Sequence, residues 1–209
     1  MDHKSAQALI TTVYTAMHGR APTVRERHTI GAVSAHETYY GQAAPFGGTF
    51  NMGAVQLSKP GPDGMCPVGS FLHKDSYPTS DRGNISYAVC FRTYPDETAG
   101  MRHLVKLLTL DRPNVWKVLD SGDATEIARQ MYRSHYFGGF GKTEDERIAG
   151  YAKALDRRGA QIGQATGEGQ QVRIVPGGTG AAPGASSSSG GGWLLAAGVG
   201  VLLFWAVKS

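Results

Sequence analysis

Apolar residues recur along most of this chain at three- and four-residue steps, the spacing of helices, and in one stretch they alternate as in a strand. Ala6, Leu9, Ile10, Val13 and Met17 share one face of a first predicted helix. The run from Val24 to Tyr40 predicts a second, amphipathic helix: Thr23-Val24-Arg25-Glu26 reads as a capping box at its start and Gly41 as its stop. Ile85, Tyr87, Val89 and Phe91 alternate with Ser86, Ala88, Cys90 and Arg92, and Asp81-Arg82-Gly83-Asn84 just before them predicts the turn of a hairpin. Helical spacing returns from Asp96 to Leu110, with Met101, Leu104, Val105 and Leu108 apolar, and shorter helices follow at Asn114 to Leu119 and Asp123 to Tyr132. A last helix opens at Thr143, with Glu146 as its capping partner, and turns Ile148, Tyr151, Ala152 and Leu155 inward. The pattern predicts an α+β fold, mainly α, with a small β-hairpin lobe inserted after the second helix.

From Gly159 onward the periodicity stops, and Gly, Ala, Pro, Gln and Ser take over, culminating in the run Pro183 to Gly192. Such a composition buries too little apolar surface to offset its ordering entropy and predicts a flexible, disordered linker. Beyond it, Trp193 to Val207 is uncharged and apolar, closed by Lys208. As a helix this run is roughly 22 Å long, against a hydrocarbon core of about 30 Å. Trp193 and Trp205 stand near its ends as interfacial anchors do, and Lys208 is placed to snorkel. A core helix is the plainer reading of fifteen apolar residues, but not one hung on a Ser/Gly linker. The expected organisation is a folded domain over 1–158, a linker over 159–192 and a transmembrane anchor over 193–207.

The chemistry centres on Glu37. Counting back four and seven residues reaches Val33 and Ile30, so this carboxyl lies on the apolar stripe of the second helix, at its end. Desolvation there raises its pKa, as a general acid requires, although an ion pair with a nearby Arg is an equally simple reading. For a second acid the hairpin region offers Asp63, Asp75 and Asp81. Asp75 is preferred because Asp75-Ser76-Tyr77-Pro78 reads as a rigid turn; each of the three reads as well as a turn or cap residue. Asn51 and Gln56 carry amides able to donate and accept, as ligands for acetamido groups or, for Asn51, as a loop cap. Cys66 and Cys90 read either as a bridge that stabilises by about 3 kcal/mol or as two buried thiols. His36-Glu37 opens like a zinc-protease helix, but Tyr40 stands where the second His belongs, so no metal and no cofactor are expected. A net charge of +4 and a pI near 9.1 suit anionic walls or lipids. No basic run interleaved with aromatics is present, which argues against nucleic acid.

Four short motifs occur in order: Glu37-Thr38-Tyr39-Tyr40-Gly41, a Gly-rich loop with Asn51-Met52-Gly53, then Gly53-Ala54-Val55-Gln56, and Phe91-Arg92-Thr93-Tyr94 before a helix. Over about residues 5 to 156 this order resembles the glucosaminidase branch (glycoside hydrolase family 73-like) of the lysozyme-like peptidoglycan hydrolases. Tyr39 stands where that family usually has Gly, and Gly53-Ala54 where it more often has an aromatic and then Gly. Gly53 to Gln56 equally resembles a segment of lytic transglycosylases. The resemblance implies a lysozyme-like fold, Glu37 as the acid, Tyr40 beside the substrate, and a groove tyrosine, for which Tyr136, just before Gly138-Gly139-Phe140-Gly141, is the best-placed residue. That glycine cluster either lets a sugar approach the backbone or forms a helix-helix turn.

Three functional readings follow: an endo-N-acetylglucosaminidase acting on peptidoglycan glycan strands, a lytic transglycosylase forming anhydro ends, and a non-catalytic wall-binding or structural virion protein. The N-terminal helix is interrupted by polar residues and lacks the apolar core of a secretory signal peptide. The expected location is therefore a virion or cell envelope, with the tail in a lipid bilayer and virion or envelope proteins as further partners.

Overall fold

The computed structural model describes residues 1–79, 83–138 and 141–175, and for residues 75–79 and 83–87 the backbone alone. Six helices and a small sheet follow in chain order among the described residues: α1 His3–His18, α2 Val24–Glu37, β1 Gln56–Ser58, β2 Ser70–Thr79, β3 Gly83–Arg92, α3 Glu97–Thr109, α4 Pro113–Leu119, α5 Ala124–Arg133 and α6 Glu144–Thr166. The expected α+β, mainly α class is what the chain adopts. Both predicted capping boxes form: Thr23 with Glu26 starts α2, and Thr143 with Glu146 starts α6.

α2 is the centre of the molecule rather than a surface helix. Its residues Ile30 to Ala35 are all buried, because α1, α3, α4 and α6 pack around it. Small residues, Gly31, Ala32, Ser34 and Ala35, occupy the faces that the amphipathic reading assigned to solvent. The helix also stops at Glu37, short of the predicted Tyr40, since Tyr39, Tyr40 and Gly41 take positive φ of 47°, 59° and 74° and turn the chain left-handed. Glu37 thereby becomes the last helical residue.

The sheet has the order β1-β3-β2, antiparallel throughout. β2 and β3 form the predicted hairpin; of its expected turn, Asp81 and Arg82 lie outside the described residues, whereas Gly83 and Asn84 already belong to β3. Asp75 does not sit in a turn: the segment Asp75 to Pro78 is extended within β2, with Asp75 opposite Tyr87 and Pro78 opposite Asn84. β2 is the edge of the sheet, where a proline without an N–H is tolerated. Phe46, Ala54, Val89 and Phe91, with Phe71 against them, form a small apolar cluster of this lobe, separate from the main helical core. Cys66 and Cys90 are bridged, with Cα atoms 5.6 Å apart, so the loop before β2 is fastened to the middle strand.

The linker does not begin at Gly159. α6 continues to Thr166 and turns Gly159, Ile162 and Gly163 inward, in step with Ile148 to Leu155. The glycines there are not breakers: a Cβ at Gly159 would lie 2.5 Å from the Val172 carbonyl oxygen, and one at Gly163 only 2.3 Å from that of Gly169. They let the returning chain lie directly on the helix. That return is held by Val172, fully buried, by Arg173 N–H donating to Gly122 O at 2.9 Å, and by Glu168, which pairs with Arg27 and meets His28 Nε2 at 2.7 Å. The rest of the expected linker and the expected anchor, residues 176–209, lie outside the described residues. Among those described, no helix is long and apolar enough to cross a membrane.

Candidate active site

The end of α2 delivers Glu37 to the junction of the helical core and the sheet. Thr38 closes the helix, its N–H donating to Ser34 O at 3.1 Å and its hydroxyl accepting from Gly41 N–H at 2.9 Å. Glu37 itself stays partly open to solvent. Desolvation raises its carboxyl to about pH 8, against the opposing influence of Tyr151, whose hydroxyl donates to Oε1 at 2.6 Å. A carboxylic acid in this setting keeps its proton at neutral pH.

Tyr151 comes from α6, is 2% exposed, and is clamped between rings: Phe137 stacks on it at 4.0 Å and 10°, and His36 meets it edge-on at 5.0 Å. Burial holds His36 down at about 4, so it adds no positive charge at neutral pH. Sequence reasoning placed Tyr151 on the inward face of the last helix, as core. The available signal was its hydroxyl, since a buried tyrosine usually finds a polar partner and the rest of that stripe is apolar.

Tyr136 is also buried here. Its pKa is pushed well above the usual value by burial and then by the charge of Glu37, which places the two side chains within electrostatic reach. The Tyr136 hydroxyl donates to Gly53 O at 3.2 Å, and the Arg112 guanidinium lies 5.4 Å from its ring centre. Gly53 permits this contact, because a Cβ there would come within 2.9 Å of the Tyr136 oxygen and 2.7 Å of Leu104. Tyr136 thus ties the Asn51–Gln56 loop to the helical core beside the acid.

Asn51 is fully buried and its amide is spent on the loop itself. Nδ2 donates to Val55 O and Arg92 O, both at 3.0 Å, and Oδ1 accepts from Val55 N–H at 2.8 Å and Gly53 N–H at 3.4 Å. With two donors and two acceptors engaged, it shapes the loop and has none to offer an acetamido group. Tyr40, expected at the substrate, is 1% exposed and its hydroxyl lies 2.7 Å from His3 Nδ1, fastening α1 to the end of α2. The left-handed turn after Glu37 drives the Tyr40 ring inward and leaves Tyr39 outside. Gln56 opens β1 opposite Phe91, half-buried. The side chain of Asp75 lies outside what the structure describes. Among the described residues, no group of three or more His, Cys, Asp or Glu side chains gathers at one place.

No protein-family model matches the chain, and no curated protein matches it. Among solved structures, the chain is similar to the catalytic domain of the autolysin Auto from Listeria monocytogenes, at 12% identity over 81% of this chain and 84% of that one, with a TM-score of 0.48. It is similar to the C-terminally truncated glycoside hydrolase domain of FlgJ from Salmonella typhimurium at 18% identity, over 79% of this chain and 99% of that one, with a TM-score of 0.44. For a peptidoglycan hydrolase from Sphingomonas sp. A1 the identity is 16%, the coverage 82% and 99%, and the TM-score 0.45.

Proposed function

We propose that this chain is a glycoside hydrolase that cleaves the glycan strands of peptidoglycan, an endo-β-N-acetylglucosaminidase with Glu37 as its general acid. The observation that carries the reading is the placement of the Glu37 carboxyl at the last residue of α2, held by the Tyr151 hydroxyl at 2.6 Å and raised by desolvation to about 8. Breaking a glycosidic bond requires a proton for the leaving oxygen, and an acid still protonated at pH 7 supplies it. Tyr151 holds the acid in place, and Tyr136 keeps the Asn51–Gln56 loop against it. The substrate class is supported by the order of the Glu37, Asn51, Gln56 and Phe91 motifs. For the developing positive charge, Asp75 and the acetamido oxygen of the sugar are the two candidate partners.

A lytic transglycosylase is the second reading. It is favoured by the surroundings of Glu37, where the described groups that act on its charge are tyrosines and not a carboxylate. One acid then performs both proton transfers. Mass spectrometry of peptidoglycan fragments released by the full chain, beside a Glu37→Gln control, separates the readings. New reducing N-acetylglucosamine ends support the hydrolase, and anhydro ends support the transglycosylase. Equal release by the control would move the acid elsewhere, and no release by either protein would leave a binding or structural protein.

We also propose that residues 193–207 anchor the domain to a bilayer in a virion or cell envelope. The support is the apolar run with Trp193 and Trp205 near its ends. Co-sedimentation with membranes, abolished by deleting residues 190–209, is the expected result; a full-length protein that stays in the supernatant refutes the anchor.

A further inference from the structure

Tyr39 takes a left-handed conformation, φ +47°, that an L side chain adopts only at a cost in strain. Its neighbour Tyr40 shares that conformation at φ +59°, but there burial of the ring and the contact with His3 account for it. Burial does not account for Tyr39, which is 39% exposed. The ring is nevertheless held in place. The Arg158 guanidinium carbon lies 5.6 Å from its centre, His3 meets it edge-on at 6.0 Å, and Tyr40 lies at 5.7 Å. Arg158 is half-buried on α6, and its Nη1 donates to the exposed Gln161 Oε1 at 2.9 Å. A strained backbone, an exposed aromatic ring and a cation buttressing it therefore coincide two residues beyond the acid.

We propose that Tyr39, buttressed by Arg158, is a sugar-stacking subsite that binds an N-acetylated hexose of the glycan strand. Pyranose rings present a face of C–H groups, and a fixed, partly exposed tyrosine is an amphipathic platform for such a face. Arg158 limits the ring's freedom through its cation–π contact, so less ordering remains to be done when the sugar arrives. The subsite rests on the glycosidase reading, because it takes the same strand that Glu37 cleaves.

The test uses the full chain carrying Glu37→Gln, so that substrate persists, with soluble peptide-free glycan strands of alternating N-acetylglucosamine and N-acetylmuramic acid as the probe in calorimetry. Adding Tyr39→Gly frees the left-handed position of strain and removes the platform, so Kd is expected to weaken about tenfold with no fall in Tm. Tyr39→Trp restores the platform and is expected to bind within about threefold of the parent. If Tyr39→Gly binds as the parent does, or if it lowers Tm and Trp does not rescue binding, Tyr39 is a packing residue and the subsite is refuted. Cleavage by the wild-type chain beside an unchanged Kd for Tyr39→Gly sinks the subsite alone. A parent that neither binds nor cleaves sinks the glycosidase reading and the subsite with it.

Discussion

The Tyr151 hydroxyl donates a 2.6 Å hydrogen bond to Glu37 Oε1 across the packed faces of α6 and α2, residues 114 positions apart in the chain. The bond favours the ionised carboxylate, whereas the surrounding desolvation favours the acid, and desolvation is the stronger of the two. The balance leaves an acid titrating near 8, and it can be disturbed from either side.

Tyr151→Phe removes the influence that lowers the pKa of Glu37 and keeps the ring stacked on Phe137. The alkaline limb of the pH–rate profile is expected to lie near pH 8 in the parent and to move upward in the variant. The kcat is expected to fall about tenfold as the carboxyl loses its orienting partner. An unchanged alkaline limb in kcat and kcat/KM profiles would separate Tyr151 from the acid.

Glu37→Gln is expected to abolish turnover and to stabilise the fold at the same time, in a pH-dependent way. The acid's pKa is raised on folding, so between its ordinary value of 4.5 and about 8 the folded state holds more protons than the unfolded one, and stability falls as pH rises through that window. The neutral amide has no such loss. The gap in Tm between variant and parent should therefore be small at pH 4 and widest at and above pH 8 in parallel melting curves.

Glu26 titrates in the opposite sense. Burial alone would raise it, but Arg20, the Tyr14 hydroxyl at 2.6 Å and the Thr23 N–H at 2.8 Å together hold it down at about 2. A depressed carboxylate contributes stability that is complete above its ordinary value of 4.5 and is lost as pH falls from there towards 2. Glu26→Ala removes the pair with the half-exposed Arg20, the buried bond from Tyr14 and the carboxylate half of the capping box, and is expected to cost about 2 kcal/mol in denaturant unfolding at pH 7, with a flatter acid limb than the parent.

Asn51→Ala distinguishes a loop residue from a substrate ligand. It deletes four hydrogen bonds that hold the loop to itself and to β3, leaving the N–H groups of Gly53 and Val55 and the C=O of Arg92 without this partner. The expected loss is about 3 kcal/mol of stability. A ligand role would instead show as a raised KM at unchanged Tm.

The class of fold and the position of the acid are legible along the chain, and the identity of the acid's neighbours is not. Capping boxes at Thr23 and Thr143, the alternation from Ile85 to Phe91 and the apolar stripe ending at Glu37 are local signals, carried within a few residues, and the elements formed where they pointed. Tyr40 and Asn51 show where local reading stops. Both types suit a sugar, but three successive left-handed residues turn the Tyr40 ring into the core, and the backbone groups of Val55 and Arg92 claim the amide of Asn51. The glycines at 159 and 163 look like the start of a linker until the returning segment at Gly169 to Val172 is laid on them. Sequence alone determined which segments are helical, where they start, and that a carboxyl would lie near the end of α2 on an apolar face. Tertiary structure decided that Tyr151 bonds that carboxyl and that Tyr39, not Tyr40, faces outward. The reason is that desolvation, hydrogen-bond partners and exposure depend on groups far away in the chain, which no local spacing encodes.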